Sequence, residues 1–340
     1  MAVPRSSPAR QLAPFRIEPK FVARVWGFRD LHPWYDRVAE GEPIGEVWLT
    51  GDDCMVATGP HAGKRLAALF AEEPAALLGD SVPSADSPLL IKTIFAREKL
   101  SVQVHPDDKL AQEYGQPRGK SECWYVLAAK PGAELAVGLK LGTTLDQVKK
   151  EIRAGTLESS LNALPVAAGV TIYVDAGTVH AIWPGSILLE TQQNSDITYR
   201  MYDYGRGREL HIEKSLEATR LKTRAGEVTP QRLVDRTVLI DVEYFRMERL
   251  AVSSSRTSES LRGPHAAGGL AYLFAAAGSG RLKGVGFEPG GAGFDPIDLP
   301  ARGIVAVPAA APDFVLENAS GADKSLDLIC ITPNWPTKST

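Results

Sequence analysis

The segment 100–108 (Leu-Ser-Val-Gln-Val-His-Pro-Asp-Asp) places a polar side chain at every second position. Successive side chains of a β-strand point to opposite faces, so Ser101, Gln103 and His105 share one face and the apolar residues share the other. Gln103 and His105 can then direct an amide oxygen and an imidazole nitrogen at one ion. The spacing predicts one wall of a polar pocket, on a strand that ends at a Pro-Asp turn.

Two further residues can complete such an ion site. Glu122 lies in an otherwise apolar run, where an unpaired buried carboxylate is costly, so a cation partner is expected; the alternative is a surface pair with Lys120. His180 ends a third strand-like segment. Together with Gln103 and His105 these side chains suit a divalent ion, because imidazole favours zinc and its neighbours and tolerates oxygen ligands beside it.

Four charged residues are candidates for chemistry around the ion. Glu190 follows an apolar run, and it can be a base, a group behind the ligands or a core ion-pair partner. Lys92 lies inside an apolar strand and can face a pocket or extend to solvent. Arg200 lies among three tyrosines, which favours a cleft, whereas Arg206 can equally be a surface charge.

Composition excludes several classes of protein. The 340 residues predict two or three domains. A net charge of −3 argues against nucleic-acid binding, which needs a basic face. Three distant cysteines without a CxxC pattern fit a reducing cytosol, so a cytoplasmic protein is expected. We find no signal peptide in residues 1–14 and no apolar run long enough to span a membrane.

Short apolar runs separated by glycine and proline predict a mainly β protein, a barrel or sandwich with a few short helices. The expected helices cover Arg65–Phe70, Ala75–Leu78, Thr144–Arg153 and His211–Arg220. The polar, turn-rich residues 221–236 mark a boundary. The expected organisation is a flexible tail (1–14), a catalytic metal-binding domain (15–220) and a C-terminal β domain (237–340).

Two motifs carry a resemblance to a known family. The segment from Gly169 to His180 resembles the second motif of the cupin barrel, with Asp175 where proline is usual. The first cupin motif normally contains His-x-His, and here Gln103 takes the place of its first histidine. With this departure, the sequence resembles the type I phosphomannose isomerases, most strongly over residues 15–220. Three motifs carry this closer resemblance, namely Gln-x-His-Pro-Asp-Asp, Gly-Thr-Val-His-Ala and Tyr-Arg-Met-Tyr-Asp-Tyr-Gly-Arg.

The resemblance implies two cupin-type (jelly-roll) β-barrels, in the short bacterial form of the family. It implies one zinc ion per chain, with manganese or cobalt as possible substitutes, held by Gln103, His105, Glu122 and His180. It makes Arg200 the catalytic arginine, and it places Ser101, Lys120 and Arg206 near the sugar phosphate. Glu190 is the first candidate for the base, ahead of Lys92.

The implied reaction is the reversible, metal-dependent isomerisation of mannose 6-phosphate and fructose 6-phosphate by enediol proton transfer. The expected partner is a small sugar phosphate, with no nucleic acid or membrane, and a monomer is expected. An Fe(II) cupin dioxygenase and a non-catalytic sugar-phosphate-binding cupin are the alternatives.

The C-terminal residues 303–313 resemble the second cupin motif without its chemistry. Depending on the alignment, Asp313 or Phe314 stands where the motif has histidine, and neither is an imidazole. We therefore expect the second barrel to bind no metal and to serve packing.

Overall fold

A computed structural model describes residues 11–79, 86–257, 260–261, 269–285, 294–321 and 324–334. The protein is mainly β, which confirms the predicted fold class. Of the helices in these ranges, none has the length and apolar character needed to cross a membrane. They are α1 (Leu66–Glu72), α2 (Pro74–Leu78), α3 (Asp108–Glu113), α4 (Leu145–Ala154), α5 (Ile212–Ala218) and the short 3₁₀ helix η1 (Leu157–Ser160).

The strands within the same ranges all pair antiparallel. The first twelve are β1 (Phe15–Glu18), β2 (Lys20–Phe28), β3 (Ile44–Trp48), β4 (Met55–Val56), β5 (Leu89–Phe95), β6 (Val102–Val104), β7 (Glu122–Ala129), β8 (Glu134–Leu139), β9 (Leu161–Pro165), β10 (Thr171–Val174), β11 (His180–Ile182) and β12 (Ser186–Gln193). The others are β13 (Tyr199–Tyr202), β14 (Gly226–Glu227), β15 (Gln231–Arg232), β16 (Thr237–Asp241), β17 (Phe245–Val252), β18 (Ser255–Thr257), β19 (Ala271–Ala277), β20 (Gly280–Gly284), β21 (Ile297–Leu299), β22 (Ile304–Val307), β23 (Phe314–Asn318) and β24 (Leu326–Pro333).

The chain forms two compact units that interleave in sequence. The central unit comprises residues 20–48 and 89–229, and the terminal unit comprises the described residues before 20, between 49 and 88, and from 230 onward. The break after residue 229 lies inside the predicted boundary region 221–236. Residues 15–19 and 49–88 group with the terminal unit, because β1 hydrogen-bonds to β22 and β4.

The central unit contains a seven-stranded and a five-stranded sheet. Their strand orders are β14-β10-β7-β12-β5-β3-β2 and β13-β6-β11-β8-β9. Apolar side chains from both sheets form one buried cluster, in which Trp124 and Leu188 of the larger sheet join Leu135 and Ile182 of the smaller. The polar site residues therefore project from strands that an apolar core holds in place.

The alternation predicted for residues 101–105 is confirmed on β6. Val102 and Val104 are fully buried in a second apolar cluster with Val148 and Ile152 of α4. Thr144 caps this helix by accepting a hydrogen bond from the backbone of Gln147. Burying the valines beneath the helix leaves the intervening polar side chains on the opposite face of the strand.

The terminal unit contains an eight-stranded and a four-stranded sheet around its own apolar core. Phe314 is buried in that core, and Asp313 beside it is exposed. Residues 1–10 of the expected flexible tail lie outside the described ranges. The next four are not loose, because Leu12 and Pro14 are buried against this unit.

The four expected helices match α1, α2, α4 and α5 within a few residues. An unpredicted helix, α3, starts directly after the Pro-Asp turn. Its signal is Asp107, which accepts a hydrogen bond from the backbone N–H of Leu110 as an N-cap.

Candidate metal centre

Three of the four predicted ligands converge in the central unit. His105 follows β6, Glu122 begins β7 and His180 begins β11, and all three are buried. The carboxylate of Glu122 lies 3.5 Å from Nε2 of His105 and 3.3 Å from Nε2 of His180. One ligand atom from each residue lies within 4.8 Å of the other two, which is close enough for one ion to bind all three.

Both imidazoles are held in the neutral form. Nδ1–H of His105 donates to the carbonyl of Ile197 at 2.8 Å, and Nδ1–H of His180 donates to the carbonyl of Thr178 at 2.8 Å. Burial lowers the pKa of His180 to about 4 and holds that of His105 well below its ordinary value. Each ring therefore keeps an unprotonated Nε2 facing Glu122, which is the arrangement that a metal ligand needs.

Gln103 lies beside this group. It pairs with His180 across β6 and β11, and its amide nitrogen is 3.2 Å from Nε2 of His180. The two ends of an amide are interchangeable by a 180° rotation, which would bring the carbonyl oxygen to the same place. All four predicted ligands are thus brought together.

The buried carboxylate favours a cation at this point. No described residue donates a well-aligned hydrogen bond to Glu122, and burial raises its pKa. The ammonium of Lys120 lies 2.8 Å from Glu122 and 3.1 Å from Nε2 of His105. The Lys120 ammonium shows that a positive charge is stable among these two imidazoles and this carboxylate. The same donor atoms fit a divalent ion.

A polar cavity of about 350 Å³ opens above the ligands. Its lining includes the predicted residues Lys92, Ser101, Gln103, Lys120, Glu190 and Arg200. Sequence reasoning missed four charged residues of the lining, namely Arg24, Glu46, Asp196 and Arg208.

Lys92 and Glu190 form a buried ion pair on adjacent strands. They are register partners on β5 and β12, and Nζ lies 2.9 Å from the carboxylate. Nε1–H of Trp124 also donates to Glu190 at 3.3 Å. Burial opposes the charged carboxylate, but Lys92 and Lys120 outweigh it and lower the pKa of Glu190. Glu190 is therefore ionised. Burial opposes the charge of Lys92, but Glu190 and Glu46 outweigh it and raise the pKa of Lys92, so Lys92 carries its proton.

The arginines of β13 and the following loop differ in position. Arg200 pairs with Gln103 across β13 and β6 and lines the cavity. Arg206 donates to Asp203 and stacks over the ring of Tyr204, and it is not among the cavity-lining residues. Arg208, two residues on, does line the cavity.

Two glycines bring the ligand-bearing segments together. A side chain at Gly119 would meet the backbone of Pro106 and Asp107 at 2.4–2.5 Å. Gly177 has a φ of 90°, which favours glycine, and its N–H donates to the carbonyl of His105 at 2.8 Å. Gly177, in the second cupin-like motif, thus connects the loop before His180 to His105, the proposed ligand after β6.

The comparisons with known proteins point to one family. A family model, the type I phosphomannose isomerase catalytic domain, matches residues 15–140. The mannose-6-phosphate isomerase of Streptococcus mutans is 36% identical over 256 residues, which are 71% of this chain and 80% of that protein.

Solved structures extend the likeness to almost the whole chain. The mannose 6-phosphate isomerase of Bacillus subtilis superposes with a TM-score of 0.78 at 29% identity, covering 94% of this chain and 99% of that one. A zinc-bound mannose 6-phosphate isomerase shares the fold at 14% identity, with a TM-score of 0.74 over 95% of this chain and 100% of that one. The chain belongs to the type I phosphomannose isomerase family.

Proposed function

We propose that this protein interconverts mannose 6-phosphate and fructose 6-phosphate with the help of one bound zinc ion. The observation that carries the proposal is the convergence of two neutral imidazoles, a buried carboxylate and an amide beneath a cation-rich cavity. Membership of the family and the zinc-bound structural neighbour support the choice of reaction and metal.

The ion would be held by Gln103, His105, Glu122 and His180. When bound, it supplies a Lewis acid for the oxygens on C1 and C2 of the sugar. Manganese and cobalt suit the same nitrogen and oxygen donors, so they are proposed as substitutes.

The isomerisation moves a proton from C2 to C1 and a second proton from O2 to O1. Glu190 is ionised and lines the cavity, so we assign it the removal of the C2 proton and its return to C1. Lys92 lies 2.9 Å from Glu190 and keeps its proton, so it is suited to donate a hydrogen bond to the sugar oxygens instead of acting as the base.

Positive charge in the cavity offsets the charge of the enediolate and of the phosphate. Arg200 lies beside Gln103, where it can stabilise the developing oxyanion. Lys120 lies among the metal ligands, so we place it at the reacting end of the sugar and not at the phosphate. Arg208 and Ser101 line the cavity and are the proposed phosphate contacts, with Arg208 in place of Arg206.

The test is a coupled assay of fructose 6-phosphate formation from mannose 6-phosphate, using protein with measured zinc content. We expect activity that a chelator abolishes and that added zinc restores. Protein that holds zinc and binds the sugar without turnover would instead support a non-catalytic binding protein. Oxygen uptake that requires ferrous iron would support a dioxygenase.

A further inference from the structure

A row of alternating charges crosses the seven-stranded sheet and ends at the proposed base. It runs from Arg24 on β2 through Glu46 on β3 and Lys92 on β5 to Glu190 on β12. These strands are consecutive neighbours in the sheet. The first two residues have no part in the reaction proposed above, and Glu46 is as buried as Lys92 itself.

Three groups fix the carboxylate of Glu46. One oxygen accepts hydrogen bonds from the guanidinium of Arg24 at 2.9 Å and from Nε1–H of Trp48 at 2.7 Å. The other oxygen faces the ammonium of Lys92 at 3.8 Å. Burial opposes its charge, but Lys92 and Arg24 outweigh burial and lower the pKa of Glu46. A carboxylate tied by a guanidinium and an indole has little freedom to turn.

This fixed anion gives Lys92 a second carboxylate partner. Lys92 pairs with Trp48 in the register of β3 and β5, so Glu46 reaches it along the diagonal of the sheet. The ammonium therefore lies between Glu46 and Glu190, at 3.8 Å and 2.9 Å. Without Glu46, the attraction of Glu190 alone would decide where the ammonium lies.

We propose that Glu46, oriented by Arg24 and Trp48, is a positioning residue that fixes the Lys92 ammonium beside Glu190, in the place from which Lys92 donates a hydrogen bond to the sugar oxygens. The inference rests on the proposed function, because it assigns Glu190 and Lys92 to the isomerase reaction. Without the charge of Glu46, the ammonium could move away from β3 while it stays paired with Glu190, and this would carry the hydrogen-bond donor away from the sugar oxygens.

Two variants test the role. Glu46→Gln removes the charge with almost no change in shape, and Trp48→Phe keeps the charge but removes one of the groups that orient it. For Glu46→Gln we expect kcat to fall at least about tenfold with KM within about threefold of wild type, because a misplaced donor impairs turnover more than binding. Trp48→Phe should show the same pattern with a smaller loss, and zinc content should be unchanged in both.

Glu248→Gln is the matched control. Glu248 is a buried carboxylate in the terminal unit that also lies between two cations, Arg236 at 2.9 Å and Arg246 at 2.6 Å. This variant should lose thermal stability to a similar degree and keep kcat. If it lost as much kcat as Glu46→Gln, general destabilisation would explain the effect and the positioning role would be refuted.

Crystal structures give a readout that does not depend on activity. We expect Nζ of Lys92 to be displaced away from residue 46 in Glu46→Gln, while it stays paired with Glu190, and to keep its place in Glu248→Gln. An undisplaced Lys92, an unchanged kcat, or a rise in KM alone would overturn the proposal, the last by making Glu46 a substrate contact. A displaced Lys92 in a protein whose wild type lacks isomerase activity would keep the positioning role and refute the proposed function.

Discussion

At the scale of single residues, the proposed chemistry depends on where protons are held. The backbone carbonyls of Ile197 and Thr178 take up the Nδ1–H groups of His105 and His180, so each Nε2 is available to an ion. Glu122 supplies the only negative charge among the four proposed ligands. The affinity for a divalent ion should therefore depend on this residue more than on the others.

Replacing Glu122 tests this directly. Glu122→Ala should weaken zinc binding by about a hundredfold or more and abolish turnover, because it removes a charged ligand as well as a donor atom. Elemental analysis after dialysis measures the bound zinc. The exposed carboxylate of Glu243 offers the control Glu243→Ala, which should keep the metal. A full equivalent of zinc in Glu122→Ala would exclude Glu122 as a ligand.

Arg200 should contribute mainly to turnover. Its Nη1 donates to the carbonyl of Glu209 at 2.9 Å, which restrains the side chain beside Gln103 before substrate binds. Arg200→Ala should raise the activation barrier by about 2 to 4 kcal/mol, as seen when a preorganised oxyanion donor is removed. Steady-state kinetics should show a lower kcat, whereas Arg281→Ala, an exposed arginine of the terminal unit, should leave kcat unchanged. An unchanged kcat in Arg200→Ala would rule out this role.

At the scale of elements, the candidate site can be predicted from the sequence better than the other charged residues that line its cavity. The alternation around β6 could be predicted because side-chain direction has a period of two residues, and the proposed ligands lie in recognisable motifs. Glu46 shows the same pattern as Glu122, a carboxylate within an apolar strand. This pattern could have identified Glu46 as a candidate site residue. Arg24 and Arg208 could not be found this way, because the pairing of strands and the path of a loop bring them to the cavity.

The close approach at Gly119 makes a prediction for the loop that carries His105. Gly119→Ala would push a methyl group into the backbone of Pro106 and Asp107, so it should destabilise the protein by about 1 to 3 kcal/mol and weaken zinc binding. Thermal unfolding and metal titration measure the two effects. Gly41→Ala, where a side chain would meet nothing within 4 Å, should change neither. Wild-type zinc affinity in Gly119→Ala would show that this contact does not position His105.

At the scale of the whole molecule, pH should act through the two buried imidazoles. Their pKa values are lower in the folded protein than the ordinary 6.5, and about 4 for His180. These two groups therefore bind more protons in the unfolded chain between about pH 6.5 and pH 4, so their contribution to stability falls as pH falls through that window. The raised pKa of Glu122 acts in the opposite direction, but through one proton against two.

We expect the melting temperature of metal-free protein to decline as the pH is lowered from 6.5 to 5. The zinc-loaded protein should lose stability more steeply, because protons compete with the ion for the two Nε2 atoms. Calorimetry of both forms across this range measures the difference. Equal slopes for the two forms would contradict metal binding by these histidines.

The mainly β fold class could be predicted from the spacing of apolar runs, but the division of the chain into two interleaved units could not. Periodicity shows that a segment is a strand without showing its partner, so it could not indicate that residues 15–19 and 49–88 group with the terminal unit. The register of β1 with β22 and β4 determines their place.

That pairing has a consequence for how the protein is made. β1 leaves the ribosome well before β22, so the terminal unit cannot form until both strands have been synthesised. The central unit, whose segments end at residue 229, can fold while the remainder is still being synthesised. The residues that would bind the ion can then be assembled before β22 has been synthesised.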